Sequence, residues 1–352
     1  MRILYAINAG SPANPFTLEL LNAVRINASH VAFGLDTFMR TDMDFDVVHI
    51  QWPESLFSWK DSDRSNITRI RKQLLRHRRR ARIVTTVHNC KPQSHLRMGE
   101  EMFEIVHSAT DDFVHLGRNS KDAFIELNHN KPWALNAAHH VIQHGEYSYY
   151  RKLPRDDTLA MQIGAARSGP VILVFGVLRD AEEERLARVA FLNAGIDGAL
   201  LVFAGALFRN VEIDNVSHPS IMRFHSRVPE CQVAPLLEAV DMVFIPRRGR
   251  LNSGVVSLAL TFGVPIIGPN EGVIGEQLTE FGGILYEPGS DSSGAAAMRA
   301  AAEMDEVELT AMRERMESYR RQYMLWSDIA AKYMTIYSQP IQRSQASRWF
   351  HF

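Results

Sequence analysis

Residues 241–288 read DMVFIPRRGRLNSGVVSLALTFGVPIIGPNEGVIGEQLTEFGGILYEP, from Asp241 to Pro288. An apolar run, Met242 to Ile245, has the length and bulk of a buried strand and ends in a Pro-Arg-Arg-Gly loop. Asn252-Ser253-Gly254 then opens a helix that stops at Gly263, and a second apolar strand, Val264 to Ile267, follows. A Gly/Asn/Glu loop leads into a short helix and another turn. Strand, polar loop, helix N-terminus and strand is the order by which α/β proteins build an anion site. Its late position in the chain predicts a second nucleotide-type domain rather than a lone N-terminal one.

Working outward, strands and helices alternate along the whole chain. In the first half the expected strands are Ile3–Ile7, Asp46–Ile50, Ile83–Val87, Asp112–Leu116 and Ala138–Ile142. The expected helices between them are Phe16–Val24, capped by Asn14 with Pro15 in its first turn, then Ile67–Arg79, Glu100–Ala109 and Lys121–Leu127. Composition changes from Arg151 to Gly169, which reads as a linker with a short helix near Thr158–Ile163. A second alternation then begins: strands Val171–Phe175, Leu200–Ala204, Ile221–Phe224 and Met242–Ile245, with helices Glu182–Ala194 and Cys231–Ala239. Glu306–Tyr337 is helical throughout, with Met312, Met316, Tyr319, Tyr323 and Trp326 at helical spacing. Two such alternations predict two doubly wound α/β domains, 1–152 and 170–319, whose ligands bind beyond the carboxyl ends of the strands and in the cleft between them.

Composition bounds the partners. A net charge of −1 over 352 residues gives no overall attraction to nucleic acid or membrane, so any basic surface is local. Cys90 and Cys231 lie far apart, form no metal-type spacing and suit a reducing compartment. The opening MRILYAI is too short and too soon followed by Asn8 to be a signal peptide, and no run reaches the length of a membrane span. The expected location is cytoplasmic, with peripheral contact at the inner face of the membrane left open.

Several residues carry anion chemistry. Ser253 and Gly254 start a helix whose N–H groups would face a ligand, and Arg247, Arg248 and Arg250 precede it, which suits a diphosphate. An ordinary capped helix with exposed arginines is the plainer alternative. Other strand ends in this half carry short Gly or polar turns: Gly176-Val177-Leu178-Arg179, Ala204-Gly205-Ala206 and His225-Ser226-Arg227-Val228-Pro229.

Taken together, FGVLR at Phe175–Arg179, the turn Ser226–Pro229, the strand Ala239–Pro246, SGVVSLALTFGVPII at Ser253–Ile267 and the Gly-rich segment Gly272–Gly289 resemble the nucleotide-sugar domain of GT-B glycosyltransferases. DVVHIQWPE at Asp46–Glu54, TVHNCKP at Thr86–Pro92 and VIQHGEY at Val141–Tyr147 resemble the first domain of the large, mostly retaining family that builds bacterial exopolysaccharide and lipopolysaccharide. The likeness spans residues 1–338. It implies the GT-B fold, two Rossmann-like domains facing across a cleft, with residues 320–338 packing back on the first domain and 339–352 as a tail. It also implies that His88 lies near the sugar and the reacting centre, that Arg179 faces the donor diphosphate and that Asn252, Ser253 and Gly254 hold its phosphates. Glu271, Gly272 and Val273 would lie near the sugar, and His225, Arg227 and Val228 beside the nucleobase. Asn14, Asn89, His144 and Gly145 are the candidates for the acceptor side.

The chain also departs from that family. The lysine expected shortly after Arg179 is absent from Asp180-Ala181-Glu182-Glu183-Glu184, and three glutamates there would repel a diphosphate unless they face away. Two family glutamates eight positions apart align with Arg250 and Leu258. Arg247 or Arg250 could supply the missing charge; alternatively, donor binding has been lost.

The run Arg69–Arg82, RIRKQLLRHRRRAR, holds no acid and reads as an amphipathic helix with a cationic exterior. A solvated face is the plain reading, and contact with anionic lipid or a lipid-diphosphate acceptor the functional one. Without aromatic interleaving, nucleic acid is not expected. The fourteen histidines include no HxH or HExxH pair, so neither a metal nor another cofactor is expected.

The expected function is transfer of a sugar from a nucleotide diphosphate sugar to a hydroxyl of a glycan or lipid-linked acceptor in bacterial surface polysaccharide synthesis. Arginines and a helix N-terminus would stabilise the leaving group without a metal. Were the reaction inverting, His88 or Glu54 would be the base. The alternatives are an altered GT-B protein that binds glycan or a partner transferase, and a sugar-nucleotide epimerase of the same fold.

Overall fold

In a parallel sheet covered on both faces, alternate residues of each strand feed opposite cores, so its strands read as continuous apolar runs. A computed structural model describes residues 1–7, 14–92, 96–208, 211–213, 217–247 and 252–341 of the chain and shows this sorting directly. In Val171–Phe175, Val171 and Leu173 enter one hydrophobic cluster and Ile172 and Val174 the other. The chain forms two compact units: one runs from Met1 to Gln143 and takes back the C-terminal segment from Trp326, and the other is His144–Leu325.

The first unit holds β1 (Arg2–Tyr5), α1 (Pro15–Arg25), β2 (His30–Phe33), α2 (Leu35–Met39), β3 (Val47–Ile50), α3 (Arg64–Arg78), β4 (Arg82–Val87), α4 (Gly99–Ala109), β5 (Asp112–His115), α5 (Arg118–Leu127), α6 (Pro132–Asn136) and β6 (Ala138–Val141). Its sheet is parallel, in the order β2-β1-β3-β4-β5-β6. The strand order reverses beside β1, between β1 and β3, which is where such sheets bind ligands. Asn14 caps α1 as expected, its side chain accepting the Phe16 N–H at 3.0 Å, with Pro15 in the first turn. β2, α2 and α6 are absent from the sequence expectation. They are short and, in β2, only partly buried, so they lack the apolar period that marks the rest.

The second unit holds α7 (Thr158–Ala166), β7 (Val171–Phe175), α8 (Ala181–Ala194), β8 (Leu200–Ala204), β9 (Ile221–Phe224), α9 (Glu230–Glu238), β10 (Met242–Phe244), α10 (Gly254–Phe262), β11 (Ile266–Pro269), α11 (Gly272–Phe281), β12 (Ile284–Tyr286), α12 (Asp291–Ala302) and α13 (Glu306–Tyr323). Its parallel sheet runs β12-β11-β10-β7-β8-β9, the strand order of dinucleotide-binding folds, with the reversal between β7 and β10. The segment 151–169, expected as a linker, belongs to this unit. Leu159 and Ile163 of α7 are buried in its core, because their four-residue spacing lays both on one helix face.

The C-terminal helix also differs from expectation. Glu306–Tyr337 is two helices, α13 and α14 (Trp326–Ser338), separated at Met324 and Leu325. Met312, Met316 and Tyr319 face the second unit's core, whereas Trp326, Ile329, Tyr333 and Tyr337 face the first unit's core beside α1. One helical period therefore served two cores. The tail residues 342–352 lie outside the described residues.

The basic run Arg69–Arg82 buries Ile70, Leu74, Gln73 and His77 on its inner side. Four of its arginines are spent locally: Arg76 on the Arg40 and Thr41 carbonyls, Arg78 on Asp111, Arg80 on Asp44 and Arg82 on Asp112. The cationic exterior is correspondingly narrower than the sequence suggests, with Arg69, Arg71, Lys72 and Arg79 exposed. Among the described residues, no helix is long and apolar enough to cross a membrane.

Candidate functional site

In the first unit, the carboxyl ends of β1, β3 and β4 lie side by side, because the three strands are parallel neighbours. Directly after β4 comes His88. Its ring stacks on Trp52, with centroids 4.2 Å apart and planes 18° apart, and meets Phe16 edge-on at 5.5 Å. His88 Nε2 is 2.9 Å from Gln51 Oε1. Phe16 comes from the first turn of α1, and Gln51 and Trp52 directly follow β3. The ring is thus held on two faces and at one nitrogen, at the switch point of the sheet. Asn14 is exposed and its side chain caps α1; Asn89 is half-buried.

Glu54 follows on the same segment, within a short 3-10 turn over Pro53–Phe57. It is fully buried, and among the described residues neither carboxyl oxygen has a hydrogen-bond partner. Burial pushes its pKa up to about 7. Such a group holds its proton near neutrality, which suits an acid or a proton store better than a carboxylate base ready at low pH.

In the second unit, the turn after β7 and the loop after β10 bracket the switch point. The three glutamates that sequence alone set against a diphosphate are neutralised inside the unit. Glu182 pairs with Arg185, Glu183 with Arg247, and Glu184 with both Arg188 and Arg223. Glu183 Oε2 also accepts the Arg179 N–H at 2.8 Å, while Arg247 Nη2 donates to the Val177 carbonyl at 3.0 Å. Arg247 is therefore buried and committed to shaping the Gly176–Arg179 turn, and its guanidinium does not stand in for the absent lysine. Arg179 itself is exposed at that turn. Arg248 and Arg250 lie outside the described residues. Leu258, at one of the expected acidic positions, is a core residue.

Gly205, after β8, packs its backbone on Gly176. A Cβ there would come within 1.9 Å of the Gly176 carbonyl oxygen, and its φ of +156° disfavours other residues. Leu178 and Leu207 continue the contact as an isolated parallel bridge. The two ligand-edge turns are thereby fused backbone to backbone.

α10 begins as expected: Ser253 is the N-cap, its hydroxyl accepting the Val255 N–H at 3.3 Å. A Cβ on Gly254 would lie 2.7 Å from the Tyr147 hydroxyl. That hydroxyl is 3.2 Å from His144 Nε2, and His144 Nδ1 donates to the Gly145 carbonyl at 2.7 Å. Burial holds His144 neutral, its pKa lowered to about 4. The Tyr147 N–H is tied to Thr261 Oγ1 at 2.9 Å. So His144 and Gly145, expected on the acceptor side, are drawn together with the phosphate-type helix start through Tyr147.

Of the remaining candidates, Val228 and Val273 turn into the core, so neither presents its side chain to a ligand. Arg227 is exposed and reaches Glu230 at 3.5 Å. Glu271 and Gly272 open α11, and Asn252 precedes the α10 cap. His225 has both ring nitrogens enclosed and without hydrogen-bond partners. Burial lowers its pKa, and the nearby Arg223 guanidinium adds to the effect. Residues that sequence reasoning did not single out are Phe16, Gln51, Trp52 and Tyr147. Gln51, Trp52 and Tyr147 each sit directly beyond a strand or beside a named histidine, which is the signal that could have found them.

No family model matches the chain, and no match is found among the curated proteins. Solved structures do match. The chain is similar to Anabaena Alr3699/HepE in complex with UDP and glucose, at 15% identity and a TM-score of 0.69, over 96% of this chain and 100% of that one. It is similar to an alpha,alpha-trehalose-phosphate synthase (UDP-forming) from Burkholderia xenovorans in complex with glucose-6-phosphate, at 13% identity and a TM-score of 0.68, over 96% and 100% of the two chains. A sucrose-phosphate synthase from Thermosynechococcus elongatus gives 14% identity and a TM-score of 0.63, over 96% and 98%. These are GT-B glycosyltransferases, and the chain has their fold: two units, each built on a parallel six-stranded Rossmann-like sheet.

Proposed function

We propose that the protein is a glycosyltransferase that takes a sugar from a nucleotide diphosphate sugar. The observation that carries this reading is the start of α10, a Ser253-capped helix N-terminus with the Tyr147 hydroxyl packed close against Gly254, in a sheet with the strand order of dinucleotide-binding folds. A helix start of this kind stabilises a departing diphosphate through its N–H groups and dipole. Arg179, exposed on the turn that Glu183 and Arg247 shape, adds charge-assisted hydrogen bonds. Fold neighbours captured with UDP support the donor class. Leaving-group stabilisation by dipole and guanidinium needs no metal ion.

In the first unit, this reading assigns the contact with the sugar to His88. It is the polar ring at the switch point, fixed by Trp52, Phe16 and Gln51. The acceptor is a hydroxyl of a glycan or lipid-linked oligosaccharide of surface polysaccharide synthesis, with Arg69, Arg71, Lys72 and Arg79 available to anionic lipid headgroups. Calorimetric titration with UDP, GDP, dTDP and their sugars tests the donor class. Saturable binding of one nucleotide, weakened by Arg179→Ala, is the expected result; no binding of any would sink it.

One observation favours a second reading, an altered GT-B protein that binds glycan or a partner without turnover. The second unit has no lysine in the Asp180–Glu184 stretch after Arg179, and its Arg247 is consumed by Glu183. Product formation from any sugar nucleotide, abolished by Arg179→Ala, would reject that reading. Sugar interconversion without an acceptor would instead reveal an epimerase.

A further inference from the structure

Two of the three non-glycine residues with positive φ among the described residues are neighbours: Ser58 at +56° and Trp59 at +59°. A bulky residue in that region is an outlier, because its Cβ crowds the following carbonyl oxygen, whereas glycine takes the same conformation freely. The pair follows the 3-10 turn Pro53–Phe57, whose carbonyls receive it: the Ser58 N–H bonds to Ser55 at 3.2 Å and the Trp59 N–H to Glu54 at 3.0 Å. Beneath it the turn is fixed, with Leu56 and Phe57 buried in one of the first unit's two hydrophobic clusters and the Ser55 hydroxyl donating to the Trp52 carbonyl at 2.7 Å. Closing the turn explains a left-handed residue here, and not a tryptophan. Nor does burial compensate, since the Trp59 indole is half-buried and enters neither cluster. It meets the Trp52 ring instead, with centroids 6.0 Å apart and planes inclined at 54°. Trp52 directly follows β3 and is likewise half-buried, so the two indoles form a partly exposed aromatic corner beside the switch point of the first sheet.

Backbone strain of this kind clusters at ligand clamps, and this instance sits where such sheets bind their ligands. We propose that Trp59 is a specificity-determining residue for the acceptor, on whose indole the axial-hydrogen face of a hexopyranose ring lies, with Trp52 as the side wall. The C–H bonds on that sugar face carry partial positive charge and meet the negative face of the indole, and two apolar surfaces leave water together. The hydroxyls at the rim of the sugar stay turned towards solvent and polar groups. An inclined pair of rings offers a floor and a wall, which sets the direction from which the sugar enters. Because the turn beneath is held before the ligand arrives, little ordering is needed on binding. The proposal rests on the reading above in calling that sugar the acceptor; the aromatic site itself does not depend on it.

The test is fluorine NMR of the full-length chain labelled with 5-fluorotryptophan, with the two signals assigned from Trp52→Phe and Trp59→Phe. The chain is titrated with the methyl pyranosides of glucose, mannose and galactose, and with sorbitol as an acyclic control. At least one pyranoside should shift the Trp59 signal saturably, and sorbitol should leave it in place. Trp59→Gly, which removes the indole and relieves the backbone, should abolish the response at Trp52 while its melting temperature stays close to that of wild type. In steady-state kinetics Trp59→Gly should raise KM for the acceptor about tenfold or more and leave KM for the sugar nucleotide unchanged, with Trp59→Phe recovering most of the loss. A Trp59 signal unmoved by all three pyranosides, or moved equally by sorbitol, overturns the proposal. A collapse of the Trp59→Gly melting temperature would make the indole a structural group and also overturns it. A raised KM for the nucleotide instead of the acceptor would assign the ring to the donor sugar and overturn the acceptor assignment. If no nucleotide binds in calorimetry while a pyranoside still shifts Trp59, the glycosyltransferase reading fails and the aromatic site stands.

Discussion

Glu183 Oε2 receives both the Arg179 backbone N–H and the Arg247 guanidinium, so one buried carboxylate ties the turn after β7 to the loop after β10. Removing one member of a buried pair strands the other. Arg247→Ala should destabilise the protein by about 3–5 kcal/mol, whereas Glu183→Leu with Arg247→Met should recover most of that loss. Chemical denaturation of the three variants checks it; an Arg247→Ala chain as stable as wild type would show that the pair is not closed in solution.

Gly205→Ala places a methyl group 1.9 Å from the Gly176 carbonyl oxygen, with rigid backbone on both sides. Backbone strain of this kind alone costs about 1–3 kcal/mol, and the steric overlap adds to it. The expected outcome is a chain with a markedly lowered melting temperature. Gly164→Ala in α7, where nothing lies within 4 Å, should instead gain up to about 1 kcal/mol.

Gly254→Ala contrasts with Gly205→Ala, because the atom it meets, the Tyr147 hydroxyl, is the far end of a side chain that can turn away. Melting temperature should change little, while affinity for the nucleotide falls about tenfold or more, about 1.4 kcal/mol. Calorimetry beside a thermal melt separates the two effects; unchanged affinity would remove the α10 start from the donor site.

Glu54 makes stability depend on pH in a defined direction. Its folded-state pKa of about 7 lies above the ordinary value of 4.5, so the folded chain holds the proton more tightly than the unfolded chain. Its stabilising contribution is full below pH 4.5, declines as pH rises through 7, and is lost above that. The difference corresponds to about 3 kcal/mol. Glu54→Gln should flatten this decline and leave the variant more stable than wild type at pH 8. Parallel slopes for the two proteins from pH 5 to 8 would contradict the assignment.

Most of the architecture is legible in the sequence, because buried parallel strands announce themselves. VILVF, LLVFA and RIVTTV leave little choice of period or length, and Asn14-Pro15 and Ser253-Gly254 mark helix starts by their capping chemistry. His30–Phe33 was missed because a half-exposed edge strand needs no apolar run. The break at Met324 was missed because helical spacing records which residues are apolar and not which core they enter. At the candidate site, sequence located the strand ends but not the partners. Arg247 reads as a free cation until Glu183, sixty-four positions away, is seen to bind it. His88 reads as a lone histidine until Gln51 and Trp52 are brought beside it by the pairing of β3 with β4.

The return of α14 to the first unit has a consequence for biosynthesis. Tyr337 and the carbonyls of Gln339 and Pro340 bond to Tyr5, His49 and Arg82, residues made several hundred codons earlier. The second unit is one uninterrupted stretch, His144–Leu325, and its last residue is translated before the closing helix of the first. On the ribosome the usual sequence is inverted: the later unit is fully translated while the earlier one, whose six strands are all made by Val141, still lacks the helix that packs beside α1.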